Sequence, residues 1–342
     1  MNKIHIILNN KLLTAIASAF LFLFPLHVVF IFFKNLFYDL GLIKATKINS
    51  RVVSIGNVLL GGTGKTPTTI AIANFLQKNG FTVGIVTRGH GRKNESNSFL
   101  LKDHHWSECG DEVIILKNNL QPNIPIYVSR NKVFAAQQLS NLGCNVILLD
   151  DGFQHRKIYR DIDIVLIGPE NYVKKNQLIY PYGLLREPFS SLKRADITIS
   201  TKRNLIPYEN SIQTDHRLDL EVKKEVLSSG QARSIHDFSN KSGILALCSI
   251  GDPKSFEKTL KNIKILADRS MFFPDHWPFS KKDIDKINQT LTRDNLNTIV
   301  CTEKDYVKLY EFRNLLIADI NAIVLKHDLN QDIKADILGR LV

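Results

Sequence analysis

The chain has 342 residues, enough for two domains. Its 45 Lys and Arg against 33 Asp and Glu leave a net charge of +12, which suits an anionic membrane face or a phosphorylated ligand. The basic residues are scattered without an aromatic-interleaved stripe or zinc finger, which argues against nucleic acid, and the widely spaced Cys109, Cys144, Cys248 and Cys301 read as reduced thiols.

In chain order, the first feature is apolar. From Leu12 to Phe33 there is no Asp, Glu, Lys or Arg, and Lys3, Lys11 and Lys34 flank the run. At ~1.5 Å per residue it is long enough for a hydrocarbon core of about 30 Å. It exceeds the usual ~7–15 residues of a signal-peptide core, and no A-x-A cleavage site follows. Pro25 and His27 interrupt it, so two forms stay open: a kinked spanning helix, or an in-plane or partly inserted anchor.

Next comes RVVSIGN (Arg51 to Asn57), a short run of small, apolar and β-branched residues that predicts a buried strand. It leads into Gly61, Gly62, Thr63, Gly64, Lys65 and Thr66, and then into a helical pattern from Ile70. Strand, glycine turn, lysine, hydroxyl and helix form a P-loop. Its backbone N–H groups cradle phosphates, Lys65 neutralises them, and Thr66 is placed to ligate Mg²⁺. Leu59 stands where the usual pattern has Gly or Ala, so GG-x-GK-[ST] fits better, with Leu60 replacing that variant's opening lysine.

A second strand, Val83 to Thr87, ends in a glycine-flanked turn carrying Arg88, His90 and Arg92, expected at the same sheet edge as the P-loop. Asp111 and Glu112 open an apolar helical stretch. IPIYVSRNKVFAAQQL reads as strand then helix. Val146 to Leu149 is a continuous apolar run, as in a strand buried on both faces. Asp150 and Asp151 follow at its C-terminal end, where open parallel sheets bind ligands and where a P-loop needs a metal-holding carboxylate. Gln154 and His155 come just after.

RDIDIVLIG and RADITISTK predict strands, and the Pro- and Gly-punctuated segment between them a loop and helix start. After an irregular polar stretch, roughly 202–242, strand–helix alternation resumes. GILALCSIGDPKSFEKTL is strand, loop and helix. Asp275 and His276 lie in a loop before a helix capped by Ser280. LNTIVCTEKDYVKL, AIVLKHDL and QDIKADILGRL complete the pattern. The expected fold is α/β: a P-loop-containing, mostly parallel sheet core, a second smaller α/β domain and an N-terminal hydrophobic membrane helix. The expected divisions are 1–34, then 35–159 completed by 315–342, and 160–314 closing the cleft.

The motifs GNVLLGGTGKTP, TRGHGR, GDE, LLDDGFQH, GLLREP, FPDH and TEKD, in that order over nearly the full length, resemble the tetraacyldisaccharide 4'-kinase family of lipid A biosynthesis. The resemblance implies transfer of the ATP γ-phosphate to the 4'-hydroxyl of tetraacyldisaccharide 1-phosphate, giving lipid IVA at the cytoplasmic face of the inner membrane. It further implies Asp111 as general base supported by His276, Lys65 and Thr66 on phosphates and Mg²⁺, and Glu112 and Asp150 as metal-linked acids, with Asp151 beside them. Arg88 and Arg186 would contact phosphate, and Gln154 and His155 would line the cleft. The chain departs from the family at His90, Trp277 and the SIGDP segment.

Other readings of the same residues stand beside this one. Asp111 has the place of a helix N-cap, Arg186 followed by Glu187 that of a surface ion pair, and His276 that of a loop residue without a proton role. The whole chain also fits a membrane-tethered P-loop ATPase acting as a nucleotide switch, although Leu60 speaks against it. Nothing in the sequence calls for an obligate protein partner.

Overall fold

The computed structural model describes residues 27–168, 178–180, 182–202, 214–223, 225–229, 233–238 and 241–342. The chain enters on a helix over residues 27–39 (α1). Then follow β1 (Arg51–Asn57), α2 (Lys65–Lys78), β2 (Val83–Thr87), β3 (Phe99–Leu100), α3 (Trp106–Cys109), α4 (Asp111–Asn119), β4 (Ile126–Val128), α5 (Lys132–Asn141), β5 (Val146–Asp150), β6 (Ile162–Ile167), β7 (Ile197–Thr201) and β8 (His216–Leu218). Among the described residues these strands form one sheet in the order β3-β4-β2-β5-β1-β6-β7-β8. All its pairings are parallel except β3 with β4. β1 and β5 lie side by side with Ile55 opposite Asp150, so the P-loop and the paired acids emerge from adjacent strand ends. Both strands are buried along nearly their whole length, which explains their unbroken apolar runs.

The second sheet contains β10 (Glu225–Ser228), β11 (Arg233–Ser234), β12 (Ile244–Cys248), β13 (Arg269–Phe272), β14 (Thr298–Thr302) and β15 (Asp319–Ile323), in the order β11-β10-β15-β14-β12-β13. Its helices are α6 (Pro253–Asn262), α7 (Lys281–Arg293) and α8 (Glu303–Leu309). It is mixed: β10 runs antiparallel to β11 and β15, while β12, β13, β14 and β15 are parallel. Between the two sheets stands an antiparallel ribbon of β9 (Leu220–Val222) and β16 (Leu325–His327). The last helix, α9 (Gln331–Leu341), returns to the first sheet, where Ile333, Ile337 and Leu341 join the core of Val53, Ile72 and Leu148.

The sheets therefore divide the chain differently from the boundary expected at residue 160. β6, β7 and β8 continue the first sheet, because β6 pairs with β1 through Val53 opposite Ile162. Nor does the whole 315–342 segment return to the first sheet: β15 stays in the second, paired with β14, and only the chain after it crosses back. Sequence pattern alone does not say which sheet an apolar strand joins.

Residues 12–26 of the apolar run lie outside the described residues. Its remainder lies on α1, where Ile31 is buried against Val58, Phe153 and Val165. Phe30, Phe33 and Phe37, spaced for one helix face, are exposed. Among the described residues no helix is long and apolar enough to cross a membrane. α1 is tied down by Lys34 Nζ to the Gln154 carbonyl at 3.0 Å and by Asp39 to Arg156 at 2.7 Å. All four cysteines are free and buried.

Candidate active site

The P-loop bends because Gly64 takes φ 85°, a left-handed conformation that costs a side-chain-bearing residue ~1–2 kcal/mol. No side chain caps α2 and no acid occupies its first turn, so its N-terminal N–H groups face the loop uncompensated. Thr63 is buried and fixes the turn: its Oγ1 accepts from Asn57 Nδ2 at 2.9 Å, and its carbonyl accepts from Thr201 Oγ1 at 2.9 Å. Gly61 and Gly62 are exposed, and Lys65 and Thr66 on α2 are half-buried. Gln154 braces the preceding strand, donating to the Asn57 carbonyl at 2.8 Å.

Two buried lysine and histidine side chains that the sequence reading missed hold this turn and its neighbour. Lys132 Nζ donates to the carbonyls of Asp150 and Asp151, the latter at 2.6 Å, which supports Asp151 at φ 52°. His327, on β16, bonds Thr68 Oγ1 through Nδ1 at 2.8 Å and packs directly against Gly64. Burial and nearby Lys202 lower its pKa to about 4, so the ring is neutral at physiological pH. Lys202 itself, just after β7, donates to the Gly62 carbonyl. A charged residue at the end of a parallel strand was the available signal for Lys202. For Lys132 and His327 there was none.

Asp151 lies 3.8 Å from Lys65 Nζ and accepts from Arg186 Nη1 on both oxygens, at 2.9 and 2.7 Å. Burial opposes its ionisation, but Lys65, Arg186 and Lys132 outweigh that and bring its pKa down to about 2. Arg186 is therefore not the surface partner of Glu187, which pairs instead with Arg194 at 2.8 Å. Arg186 reaches the site because its N–H bonds the Val58 carbonyl, laying the LLRE segment beside the chain that enters the P-loop. Asp150 accepts from Thr87 Oγ1 at 3.0 Å. Burial and the neighbouring charge of Glu112 raise its pKa to about 6. The charge of Lys65 favours the ionised form of Glu112, Asp150 and Asp151 alike.

Asp111 is buried at the first residue of α4, and Gly110 takes the N-cap position. Its Oδ1 accepts from the Glu112 N–H at 2.8 Å, a helix-end role, while Oδ2 accepts from His276 Nδ1 at 3.0 Å across the cleft from the second sheet. Burial opposes ionisation of Asp111, yet the His276 hydrogen bond and the charges of Lys304 and Lys308 hold its carboxyl below the ordinary range. The same hydrogen bond raises His276 against the opposing effect of burial. Glu112 pairs with Lys304 of α8, whose charge lowers its carboxyl pKa. Gly110 at φ 101° lets this corner lie against the turn after β2: a Cβ there would stand 2.7 Å from the His90 carbonyl. His90 packs edge-on to His276, with ring centres 5.2 Å apart.

Two further expected residues are Arg88 and His155. Arg88 is half-exposed, and its side chain pairs with Glu95 at 3.4 Å. His155 follows the Asp pair, but burial lowers its pKa to about 4. Beside Arg186 a largely apolar groove of about 310 Å³ opens between Phe30 and Ile31 of α1 and Leu60, Gln154 and Tyr180.

A P-loop at the switch point of a parallel α/β sheet, with paired acids on the neighbouring strand and an Asp–His pair across the cleft, defines the class: P-loop proteins of phosphoryl transfer. The family model described as LpxK, tetraacyldisaccharide-1-P 4'-kinase, matches residues 17–341, and the chain belongs to that family. Its members are ATP-dependent kinases of lipid A biosynthesis that phosphorylate tetraacyldisaccharide 1-phosphate at the 4' position to form lipid IVA. The chain is 31% identical over 309 residues to a tetraacyldisaccharide 4'-kinase of Syntrophus aciditrophicus, covering 83% of this chain and 82% of that one. It is 33% identical over 300 residues to the one from Elusimicrobium minutum, covering 82% and 79%. Among solved structures, it is similar to the "apo" form of LpxK from Aquifex aeolicus in complex with ATP. That match has a TM-score of 0.74 and 27% identity, and covers 95% of this chain and 99% of that one.

Proposed function

We propose that the chain carries out its family's reaction, moving the γ-phosphate of ATP to the 4'-hydroxyl of tetraacyldisaccharide 1-phosphate, with Asp111 as the general base. The observation that carries this reading is the Asp111–His276 bond at 3.0 Å, which joins the second sheet to the corner beside the P-loop acids. A sugar hydroxyl has a high pKa, so its proton leaves only as the new P–O bond forms, and a carboxylate held ionised is ready to take it. His276 orients that carboxylate and shares the positive charge that offsets it. Lys65 and the N-terminus of α2 bind the β- and γ-phosphates, and Arg186 faces the transferring group from the other side.

Magnesium fits the residues present. Glu112, Asp150 and Asp151 crowd negative charge at one place, and their mutual repulsion contributes to the raised Asp150 pKa. Among the described residues no three such side chains enclose an ion by themselves. That suits Mg²⁺, which keeps waters and phosphate oxygens in its shell. Thr66 and the Asp150–Asp151 pair would hold it, with Glu112 nearby. When bound, the ion would supply positive charge that offsets the charge of the phosphates.

The lipid enters from the α1 side. The exposed face of Phe30, Phe33 and Phe37 would lie at the cytoplasmic face of the inner membrane, and the groove beside Arg186 would take apolar substrate. The first sheet with α9 acts as the nucleotide unit, and the second sheet brings His276 to close the cleft. Purified protein given γ-labelled ATP and tetraacyldisaccharide 1-phosphate should move label onto lipid. Label recovered only as free phosphate would favour a nucleotide switch.

A further inference from the structure

Beneath the Asp111–His276 pair lies a fully buried ion cluster that phosphoryl transfer does not itself require. Lys308, on α8, is 1% exposed, and Asp305, one turn earlier, is 0% exposed. Lys308 Nζ donates to Ser249 Oγ at 2.8 Å and stands 3.4 Å from Asp305 Oδ1. It stands 3.8 Å from Asp111 Oδ2, the oxygen that accepts from His276. Asp305 Oδ2 in turn accepts the Ser249 N–H at 3.0 Å and Thr302 Oγ1 at 2.6 Å, and Oδ1 accepts Ser249 Oγ.

Ser249 follows β12, and its carbonyl accepts the His276 N–H at 3.2 Å. That bond matters because His276 has φ 55°, a left-handed conformation uncommon for a residue with a side chain and kept only where its surroundings enforce it. Three segments thus meet at one buried lysine: the start of α4 with Asp111, the loop with His276, and α8. Burying an ammonium away from water is costly unless it is paired and hydrogen-bonded, and a hydrophobic residue here would often give equal or greater stability.

We propose that Lys308 is a positioning residue for phosphoryl transfer: it fixes the Asp111 carboxylate and, through Ser249, the His276 loop in the geometry the base requires. Lys308 touches neither substrate in this account, and the inference rests on the Asp111–His276 reading above.

The test is a kinetic cycle on the full chain with Lys308→Met, His276→Ala and their double variant, using γ-labelled ATP and tetraacyldisaccharide 1-phosphate, with thermal unfolding alongside. Lys308→Met should lower kcat roughly 10- to 100-fold, with KM for ATP within about twofold of wild type. In the His276→Ala background it should lower kcat less than threefold further, because residues acting as a unit are not additive. An equal loss in both backgrounds, or a wild-type kcat in Lys308→Met, overturns the proposal. Should Lys308→Met not fold, Ser249→Ala decides. It removes the Oγ bonds to Lys308 and Asp305 but keeps the backbone bonds of residue 249. The proposal expects a fall in kcat of at least fivefold without a matching rise in KM, and an unchanged kcat refutes it. A His276→Ala enzyme with wild-type kcat would instead sink the underlying base assignment, a result separate from any outcome at Lys308.

Discussion

Replacing Gly64 by alanine perturbs the P-loop at a point where the structure sets the cost. The new Cβ would meet His327 Cε1 at 2.7 Å and Nε2 at 3.2 Å, and the backbone would keep φ at 85°. Left-handed strain contributes ~1–2 kcal/mol and overpacking ~1–3 kcal/mol. The ring cannot swing aside cheaply: it is 3% exposed and bonded to Thr68 at 2.8 Å. The expected total is about 2–5 kcal/mol, and even about 2 kcal/mol charged to the binding-competent loop raises the Kd for ATP about thirtyfold. Calorimetric titration with a non-hydrolysable ATP analogue measures this, with urea unfolding for stability. In a His327→Ala background the clash is gone and only backbone strain remains, so the Gly64→Ala penalty should shrink by ~1–3 kcal/mol. A Gly64→Ala protein that binds ATP within twofold of wild type, or a penalty of the same size with and without the His327 ring, would refute the reasoning.

Lys65→Ala should abolish phosphate transfer while leaving the unfolding midpoint close to wild type, since the side chain supplies charge to phosphates; near-normal turnover would end the P-loop reading. The His276–Asp111 bond should make stability depend on pH. The raised His276 contributes below its unfolded pKa of about 6.5 and loses that contribution as pH rises through its folded value, while the lowered Asp111 contributes above about 3.9 and loses it as pH falls. The gap in melting temperature between wild type and His276→Asn should therefore be widest at roughly pH 4–6.5, and a gap that does not change with pH would contradict the pairing. Deleting residues 1–33 removes Phe30, Ile31 and Phe33 but leaves the Lys34 and Asp39 contacts. It should weaken vesicle binding and raise KM for bilayer-presented lipid with ATP affinity unchanged; full binding to vesicles at high salt would place the anchoring surface elsewhere.

The nucleotide half of the site was legible because its signals are local. A buried strand, a glycine turn, Lys65 and Thr66 fall within one short stretch, and Val146 to Leu149 mark the strand that ends at the acid pair. Strand membership was less so: β6 and β7 look like any buried strands, and only pairing in space puts them beyond β1 rather than in the second sheet. Side-chain partners were hardest to read. Nothing in Arg-Glu at positions 186 and 187 says that one turns to Asp151 and the other to Arg194. Arg88 shares a sheet edge with the P-loop, yet its long side chain goes to Glu95. Lys132, His327 and Lys308 act through burial, which no local pattern of charged residues announces. Asp111 and His276 lie far apart in sequence, and their association came from the family resemblance before the 3.0 Å contact gave it geometry.

The proposed reaction turns on Asp111 as the base, and the most direct measurement is single-turnover transfer of labelled γ-phosphate to tetraacyldisaccharide 1-phosphate by Asp111→Asn. Asparagine keeps the size and serves a helix end about as well as aspartate, but it cannot take a proton. If Asp111 is the base, the rate of transfer falls by at least ~10²-fold while ATP affinity and melting temperature stay near wild type. An Asp111→Asn enzyme that transfers phosphate at close to the wild-type rate would contradict it.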